Sequence, residues 1–299
     1  MAISHGIYAG NDYLPHRYHI WMTEKDRVTI IARRDGKLVR QAEICKTVVV
    51  EGLRVCPSER GRGVAGLIQR ITDAMWLIMC PFYCSFFILS FQHTLLQYLL
   101  VSVFQAVLSL IGEAKSFNSF VLDLKAKLDS IEKTEQSTTT NSQLTVLKDD
   151  QQLNALLLDP DLSTRLQLPG GAIIQDWLPL KPVESNLEIL KSTNLTWLAD
   201  TSNDKPRFVS FYTPPYPIPF NGGSLRLNID MYGEDLPLAR KALITHLKQV
   251  TGEIHGTVLV HIYMNQTLWT GMQRFCEGDE GVKQFQDYWE QLFLERELS

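Results

Sequence analysis

The spacing of hydrophobic residues changes once between positions 48 and 71, and this change predicts a strand, a loop and a helix. The β-branched run 48–55 is typical of a strand and is closed by Pro57. The loop that follows is rich in Gly and Arg. Apolar residues then recur with the spacing of one helix face, at Val64, Leu67, Ile68 and Ile71. Because the N–H groups of such a loop and of the first helical turn converge, the stretch predicts an anion-binding site.

The same patterns predict the other elements. Early in the chain they indicate a helix over 15–22, then strands over 27–33, 38–44 and 46–55. Later helices are predicted over 117–132, 184–191, 236–250 and 267–276, and strands over 172–180, 195–199, 207–212, 225–232, 257–264 and 288–295. Strands that alternate with helices but also form hairpins favour an α/β (α+β) fold. We expect a mixed, mostly antiparallel sheet flanked by helices.

An apolar segment interrupts this order, since residues 74–112 contain no Asp, Glu, Lys or Arg. Three interpretations of 76–111 compete: a transmembrane helix, a buried core helix, and translated non-coding sequence. The predicted organisation has four parts. These are a first lobe (1–75), the apolar insert (76–111), a helix with a polar linker (112–167), and a second lobe (168–299).

Charge and cysteine content narrow the function classes. The chain has 299 residues and a net charge of −4, which argues against a general nucleic-acid binder. Its five cysteines have no metal-ligand spacing and fit reduced thiols better than a disulfide framework. We therefore expect no metal and a cytoplasmic protein, with a membrane location as the alternative if 76–111 forms a helix that is genuinely expressed.

The predicted anion loop resembles a known acetyltransferase signature. Its residues match the Arg/Gln-x-x-Gly-x-Gly/Ala motif of the GNAT superfamily of acyl-CoA-dependent N-acyltransferases: Arg60, Gly61, Arg62, Gly63, Val64 and Ala65. Further stretches resemble the vertebrate histidine N-acetyltransferase family, also known as probable N-acetyltransferase 16. They include 6–18, 169–177, 217–219 and 227–230. The resemblance covers residues 1–75 and 117–299 and implies a GNAT-like fold of two tandem lobes.

The resemblance implies acetyl transfer from acetyl-CoA to the α-amine of a free amino acid. It further implies that this amino acid is L-histidine. In that family the 60–65 loop would hold the CoA pyrophosphate, while the backbone at Leu53 and Val55 would align the pantetheine. Glu51 is the candidate general base, although a strand-face carboxylate paired with Arg54 is an equal alternative. Tyr13 and Arg17 are the candidate acceptor residues, with helix packing and a solvated charge as their alternative.

Two departures from the family pattern matter. The later strands of an acetyltransferase sheet are expected where this chain has 76–111, so we expect an incomplete first lobe. This leaves a truncated, inactive or membrane-tethered relative as the alternative function. In the second lobe, Glu234 and Asp235 stand in the loop after strand 225–232, where arginines would be needed. Their charge should repel a pyrophosphate, which indicates a degenerate acetyltransferase-like lobe.

Overall fold

The computed structural model describes residues 13–23, 28–34, 37–44, 48–49, 51–55, 62–63, 66–67, 70, 84–91, 101–134 and 143–297. Its helices are α1 (Leu14–Trp21), α2 (Ala114–Thr134), α3 (Asp150–Leu157), α4 (Leu162–Arg165), α5 (Glu184–Ser192), α6 (Leu236–Val250) and α7 (Gln266–Cys276). The first strands are β1 (Val28–Arg34), β2 (Lys37–Ile44), β3 (Val48–Val49), β4 (Glu51–Val55), β5 (Cys84–Phe91), β6 (Val101–Glu113) and β7 (Leu144–Val146). The later strands are β8 (Ile173–Gln175), β9 (Leu178–Leu180), β10 (Thr196–Asp200), β11 (Val209–Ile218), β12 (Ser224–Tyr232), β13 (Thr257–Met264), β14 (Val282–Gln284) and β15 (Trp289–Glu297).

A ten-stranded sheet organises the molecule. Its order is β3-β5-β15-β6-β13-β12-β11-β10-β7, with β14 paired to β6. Two of its neighbouring pairs are parallel, β12 with β13 and β3 with β5, and the other pairs are antiparallel. Helix α6 connects β12 to β13, which is the crossover that a parallel pair requires. The predicted mixed, mostly antiparallel sheet flanked by helices is confirmed.

The first lobe contains a strand that parts from its neighbour. Val48 and Val49 of β3 pair in parallel with Ser85 and Phe86 of β5. Beyond that point β4 pairs with β2 and lies at the edge of a separate three-stranded sheet, in the order β1-β2-β4. The described backbone of β4 therefore has a hydrogen-bonding edge without a strand partner.

The apolar segment 76–111 contributes strands wherever the structure describes it. Strand β5 lies within it and β6 begins within it, and both belong to the main sheet. The expectation of a single helix across this segment is therefore wrong for the described residues. No described helix is both long and apolar enough to span a membrane. The four-part division of the chain and the cellular location stay predictions.

Strands distant in sequence are interleaved at the centre of the sheet. Strand β15 lies between β5 and β6, while β6 lies between β15 and β13. Eight residue pairs join β6 to β13, from Thr257 opposite Glu113 to Met264 opposite Ala106. These pairings explain why residues 105–110 are buried, because this part of the strand has strands on both sides and layers on both faces.

Helices α2, α6 and α7 cover one face of the sheet. The predicted amphipathic helix is confirmed as α2, whose buried side chains are Phe117, Phe120, Val121, Leu124 and Leu128. They pack with α6 and with the residues of β12 that face the helices, Leu225, Leu227, Ile229 and Met231. Each fully buried Leu or Phe side chain contributes about 1.5–3 kcal/mol. This cluster is the main hydrophobic core.

The opposite face differs from the sequence prediction in two places. Residues 172–180, predicted as one strand, form the hairpin of β8 and β9 with a two-residue turn at Asp176 and Trp177. Strand β11 extends beyond the predicted 207–212 to Ile218, and its register with β12 shifts between Thr213 and Tyr216. Pro214 and Pro215 occupy that shift, where a missing N–H costs no ladder hydrogen bond.

Candidate functional site

Polar residues occupy alternate positions of strand β12. Arg226, Asn228 and Asp230 are all buried, and they face away from the core that α6 covers. Because side chains alternate along a strand, these three lie on one face of the sheet. A buried strand with Arg, Asn and Asp on the same face requires partners for all of them.

The neighbouring strands extend this polar face. Asn228 is opposite His261 on β13, and His261 is opposite Ser109 on β6. Gln105 of β6 is opposite Gln291 of β15. We call this surface the polar seam, which consists of Gln105, Ser109, Arg226, Asn228, Asp230, His261, Tyr263, Trp289 and Gln291.

Asp176 connects the polar seam to helix α1. Its carboxylate accepts hydrogen bonds from Arg17 Nη2 at 2.5 Å, Asn228 Nδ2 at 2.9 Å and the Tyr216 hydroxyl at 3.1 Å. The Arg17 guanidinium also lies 5.4 Å from the centre of the Tyr216 ring. His16 stacks on the same ring, with centroids 5.6 Å apart. Helix α1 is thus fixed over the seam by charge and ring contacts.

The turn that presents Asp176 has an unusual backbone. Asp176 has φ 49° and Trp177 has φ 74°. Positive φ at both central residues is typical of a type I′ hairpin turn, which usually takes Asn or Asp followed by Gly. A bulky residue in this region is strained, and such strain persists where surrounding contacts hold it. The three donors on Asp176 supply those contacts.

Arg226 is a buried cation at the centre of the seam. Its Nε donates to Asn228 Oδ1 at 2.9 Å and its Nη2 to the Tyr263 hydroxyl at 2.8 Å. Burial alone would lower the pKa of Arg226, but Tyr216, Tyr263 and Asp176 outweigh it and the pKa is raised. Arg226 therefore stays charged inside the protein.

His261 is neutral and oriented. Its Nδ1 lies 2.7 Å from Ser109 Oγ, and Trp289 Nε1 donates to the same Oγ at 2.9 Å. Since the tryptophan can only donate, the serine hydroxyl is able to direct its proton at Nδ1. Burial and the nearby Arg226 lower the pKa of His261 well below its usual value.

Asp230 is the carboxyl group of the polar seam. Its side chain is buried, and no described group donates a hydrogen bond to its Oδ2. Burial raises the pKa of Asp230 well above the usual value, repulsion from Asp176 adds to this, and Arg226 opposes it. A raised pKa favours the protonated carboxyl group, whose carbonyl oxygen can still accept an N–H group from a bound molecule.

The structure brings two predicted site residues to the seam. Tyr13 is buried against Tyr216, Ile218 and Leu259, and Arg17 binds Asp176. Arg62 and Gly63 are both exposed, and Leu67 donates its N–H to the Gly63 carbonyl at 3.0 Å, as in a first helical turn.

For the remaining predicted site residues, the structure describes either the backbone alone or nothing. Glu51, Leu53 and Val55 lie on the described backbone of β4. Arg60, Gly61, Val64 and Ala65 lie outside the described residues. Leu67, on the predicted apolar helix face, is 50% exposed.

In the corresponding loop of the second lobe, a carboxylate of the chain occupies the place at the helix start where an anion would bind. Asp235 is the N-cap of α6, and its carboxylate accepts the Leu238 N–H at 2.9 Å. Glu234 is exposed beside it. A carboxylate from the chain itself therefore takes one of the N–H groups that a phosphate would need.

Sequence reasoning gave no role to most of the seam. Asp176, Asn228 and Asp230 stood within the stretches that carried the resemblance, but Arg226, Tyr263 and Trp289 did not. The available signal was the alternation of polar residues at 226, 228 and 230 between apolar neighbours. Among the described residues, no three His, Cys, Asp or Glu side chains are grouped to hold a metal ion.

Comparison with known proteins gives consistent results. Residues 140–265 match the family described as histidine N-acetyltransferase, C-terminal. Histidine N-acetyltransferase of Scomber australasicus is 32% identical, over all of this chain and 90% of that protein. The corresponding protein of Oreochromis niloticus is 33% identical over the same shares. Probable N-acetyltransferase 16 of Homo sapiens is 35% identical, over all of this chain and 82% of its own length.

Solved structures give weaker likenesses. A GCN5-related N-acetyltransferase from Kribbella flavida has a TM-score of 0.41 and 14% identity, over 95% of this chain and 63% of its own. A tandem GNAT protein from the clavulanic acid biosynthesis pathway has a TM-score of 0.45 and 10% identity, over 93% and 85%. The sequence relatives decide the assignment, because they exceed 30% identity and are matched over most of their own length. The chain belongs to the histidine N-acetyltransferase family.

Proposed function

We propose that this protein transfers the acetyl group of acetyl-CoA to the α-amine of L-histidine. The observation that carries the proposal is the buried polar seam, which lies under α1 in the same sheet as β3, the strand of the first lobe that precedes β4. The names of the relatives supply the histidine.

The 60–65 loop is the proposed pyrophosphate site. Gly63 has φ +74°, and no atom of the described residues lies within 4 Å of where a Cβ would stand. This leaves room for a phosphate to approach the backbone at the start of a helix. Arg62 is exposed beside it, and Arg60 is proposed to add a second cation. These features fit a diphosphate group.

The parted strands are the proposed pantetheine site. Among the described strands β4 pairs with β2 alone, so its other edge is the proposed binding edge, with the backbone at Leu53 and Val55 as the proposed contacts. An amide-bearing chain can bind such an edge as an added strand does. Glu51 begins β4, two residues after Val49, the last residue of β3 that pairs with β5. The proposed base thus lies where the two strands part.

The reaction requires few groups. The neutral α-amine attacks the thioester carbonyl carbon, the C–N bond forms, the C–S bond breaks, and the CoA thiolate leaves. The amine must lose a proton, and Glu51 is the proposed acceptor of it. Positioning of amine and thioester supplies much of the acceleration. Tyr13 and Arg17 are the proposed acceptor-binding residues, and the Arg17 side chain remains 22% exposed beside Asp176.

Strands β5 and β6 weaken the competing interpretation. An inactive relative was proposed because the later strands of the first lobe were expected to be missing. The described part of 76–111 instead supplies strands to the main sheet.

The test is acetyl-CoA turnover with L-histidine, compared with L-alanine and L-glutamine, for wild type and Arg60→Glu. We expect preferential acetylation of histidine and its loss in Arg60→Glu, with the exposed Arg274→Glu as a control that retains activity. Equal turnover in wild type and Arg60→Glu would overturn the loop assignment. Equal turnover of the three amino acids would overturn histidine as the acceptor.

A further inference from the structure

Three acceptor oxygens of the polar seam have no donor. They are Gln105 Oε1, Asp230 Oδ2 and Gln291 Oε1, and no described residue donates a hydrogen bond to any of them. The three side chains are 4%, 2% and 2% exposed. Buried polar atoms are almost always hydrogen-bonded, so three orphaned acceptors in one seam require an explanation.

The orientation of Gln105 is set by its neighbours. The Tyr232 hydroxyl donates to the Ile174 carbonyl at 3.0 Å and accepts the Ile174 N–H at 2.8 Å. Gln105 also hydrogen-bonds to this hydroxyl. Since the hydroxyl proton is used by Ile174, Gln105 must donate with its amide nitrogen. Its oxygen is therefore left without a partner by the local structure.

The three oxygens belong to one region of the sheet. Gln105 and Gln291 are directly opposite on β6 and β15. Asp230 is opposite Tyr263 on β13, and Tyr263 is opposite Val107 on β6. Since Gln105 is two residues from Val107 on the same face, Asp230 and Gln105 lie two strands apart and one side-chain position apart along the strands. Tyr232 hydrogen-bonds to Gln105 and also interacts electrostatically with Asp230, so the Tyr232 hydroxyl lies near both residues.

The donors nearby serve other groups. Asn228 directs its Nδ2 to Asp176 and the Tyr216 hydroxyl. Arg226 directs Nε to Asn228 and Nη2 to Tyr263. This part of the seam therefore has an excess of acceptors and fits a ligand that brings N–H groups.

We propose that Asp230 receives the imidazole N–H of the acceptor amino acid, and that the amide oxygens of Gln105 and Gln291 receive its remaining N–H groups. This inference rests on the proposed function, and it makes Asp230 a specificity-determining residue. An imidazole side chain carries an N–H at a distance from the α-amine, whereas an aliphatic side chain has none. A site built to accept that N–H discriminates strongly against ligands that lack it, because the acceptor is then left buried and unpaired.

The experiment measures kcat/KM for L-histidine and for L-alanine in the full-length enzyme. Asp230→Leu keeps a similar side-chain shape but removes both acceptor oxygens, and we expect the histidine-to-alanine ratio to fall at least tenfold, mainly through KM for histidine. Asp200→Leu is the matched control. Asp200 is also buried and has an unpartnered Oδ2, but it lies on β10, outside the seam. Its variant should keep the wild-type ratio.

A second measurement separates this inference from the proposed function. Calorimetric titration with imidazole, without acetyl-CoA, should show binding to wild type and to Asp200→Leu but not to Asp230→Leu. If wild type acetylates alanine as well as histidine, the proposed acceptor fails, and loss of imidazole binding in Asp230→Leu still supports the role of Asp230. An unchanged ratio together with unchanged imidazole binding overturns the inference. If Asp230→Leu does not fold, Gln291→Leu takes its place with the same expectations, and a wild-type result there also overturns the inference.

Discussion

The protein contains two parallel strand pairs, and they differ in how far the pairing extends. In the first lobe β3 pairs with β5 over two residues, Val48 and Val49. The next strand, β4, pairs with β2 instead. In the second lobe β12 and β13 pair over six, from Leu225 to Asp230. The loops differ in the same sense, since Arg62 and Gly63 are exposed while Asp235 caps its own helix.

This difference shows that a strand followed by a helix does not by itself make an anion-binding site. Both lobes place a helix after a strand, and any helix start offers free N–H groups to an anion. Whether the site is available depends on what already accepts those groups and on whether the strands part. In the second lobe a carboxylate accepts one N–H group and the strands stay paired. Its parallel unit therefore serves as a packed core for the molecule.

The largest expected effect comes from making the first loop as acidic as the second. Arg60→Glu combined with Arg62→Glu should lower kcat/KM for acetyl-CoA by roughly 1000-fold, equivalent to about 4 kcal/mol, because the two proposed charge-assisted contacts would become repulsive. Steady-state kinetics would measure it. The reverse change, Glu234→Arg, should not create a second acetyl-CoA site, because β12 and β13 remain paired. A calorimetric stoichiometry of two would contradict the comparison.

A smaller effect concerns the stability of the second unit. His246 of α6 is wholly buried with Nε2 2.8 Å from Ser210 Oγ, and burial lowers its pKa from 6.5 to about 3. The folded protein keeps His246 neutral while the unfolded chain binds a proton below pH 6.5, so stability is lost as pH falls. Between pH 6.5 and pH 5 this loss is about 2 kcal/mol. His246→Gln should reduce the acid-side loss by that amount.

Urea denaturation at the two pH values measures the change. The exposed His255→Gln is the control and should follow wild type. An identical acid-side loss in His246→Gln and wild type would show that α6 is not packed as described.

Two glycines allow a matched test of the loops. Gly63 and Gly256 have φ +74° and +62°, and in the described part of the chain neither has an atom within 4 Å of an added Cβ. Replacement by Ala should strain both backbones similarly, by about 1 kcal/mol. Gly63→Ala should also raise KM for acetyl-CoA about tenfold, since its Cβ would occupy space proposed for a phosphate. Equal KM values in the two variants would remove Gly63 from the binding site.

The smallest effect is expected at the second helix start. Asp235→Ala removes the acceptor of the Leu238 N–H and should lower the free energy of unfolding by about 1 kcal/mol, measured by urea denaturation. Asp235→Ser should restore most of it. KM for acetyl-CoA should be unchanged in both variants, and an increase would mean that this loop takes part in donor binding.

Local patterns predicted the parallel unit of the second lobe well, because α6 has one apolar face and β12 alternates polar with apolar residues. Helix α6 and strands β12 and β13 lie within a residue or two of their predicted bounds. The apolar segment was not predictable in the same way, since a strand buried on both faces and a buried helix have the same continuous apolar pattern. Its assignment to strands depends on partners such as β13 and β15.

The candidate site was predictable only in fragments. The 60–65 motif and the resemblance indicated acetyl-CoA, and Tyr13 and Arg17 do reach the seam. The turn at Asp176 was missed because Trp177 is not a residue that signals positive φ. Contacts such as Ser109 with His261 join residues 152 positions apart, and no local pattern contains them.

The interleaved position of β15 has a consequence for how the chain folds. Trp289 at its start binds Ser109, which precedes it by 180 residues. On the ribosome, β5 and β6 therefore emerge long before the strand that separates them in the sheet. Until then their edges stay open to wrong partners, and late, long-range closure is slow. The two lobes should consequently become native together, as one cooperative unit, after most of the chain has been synthesised.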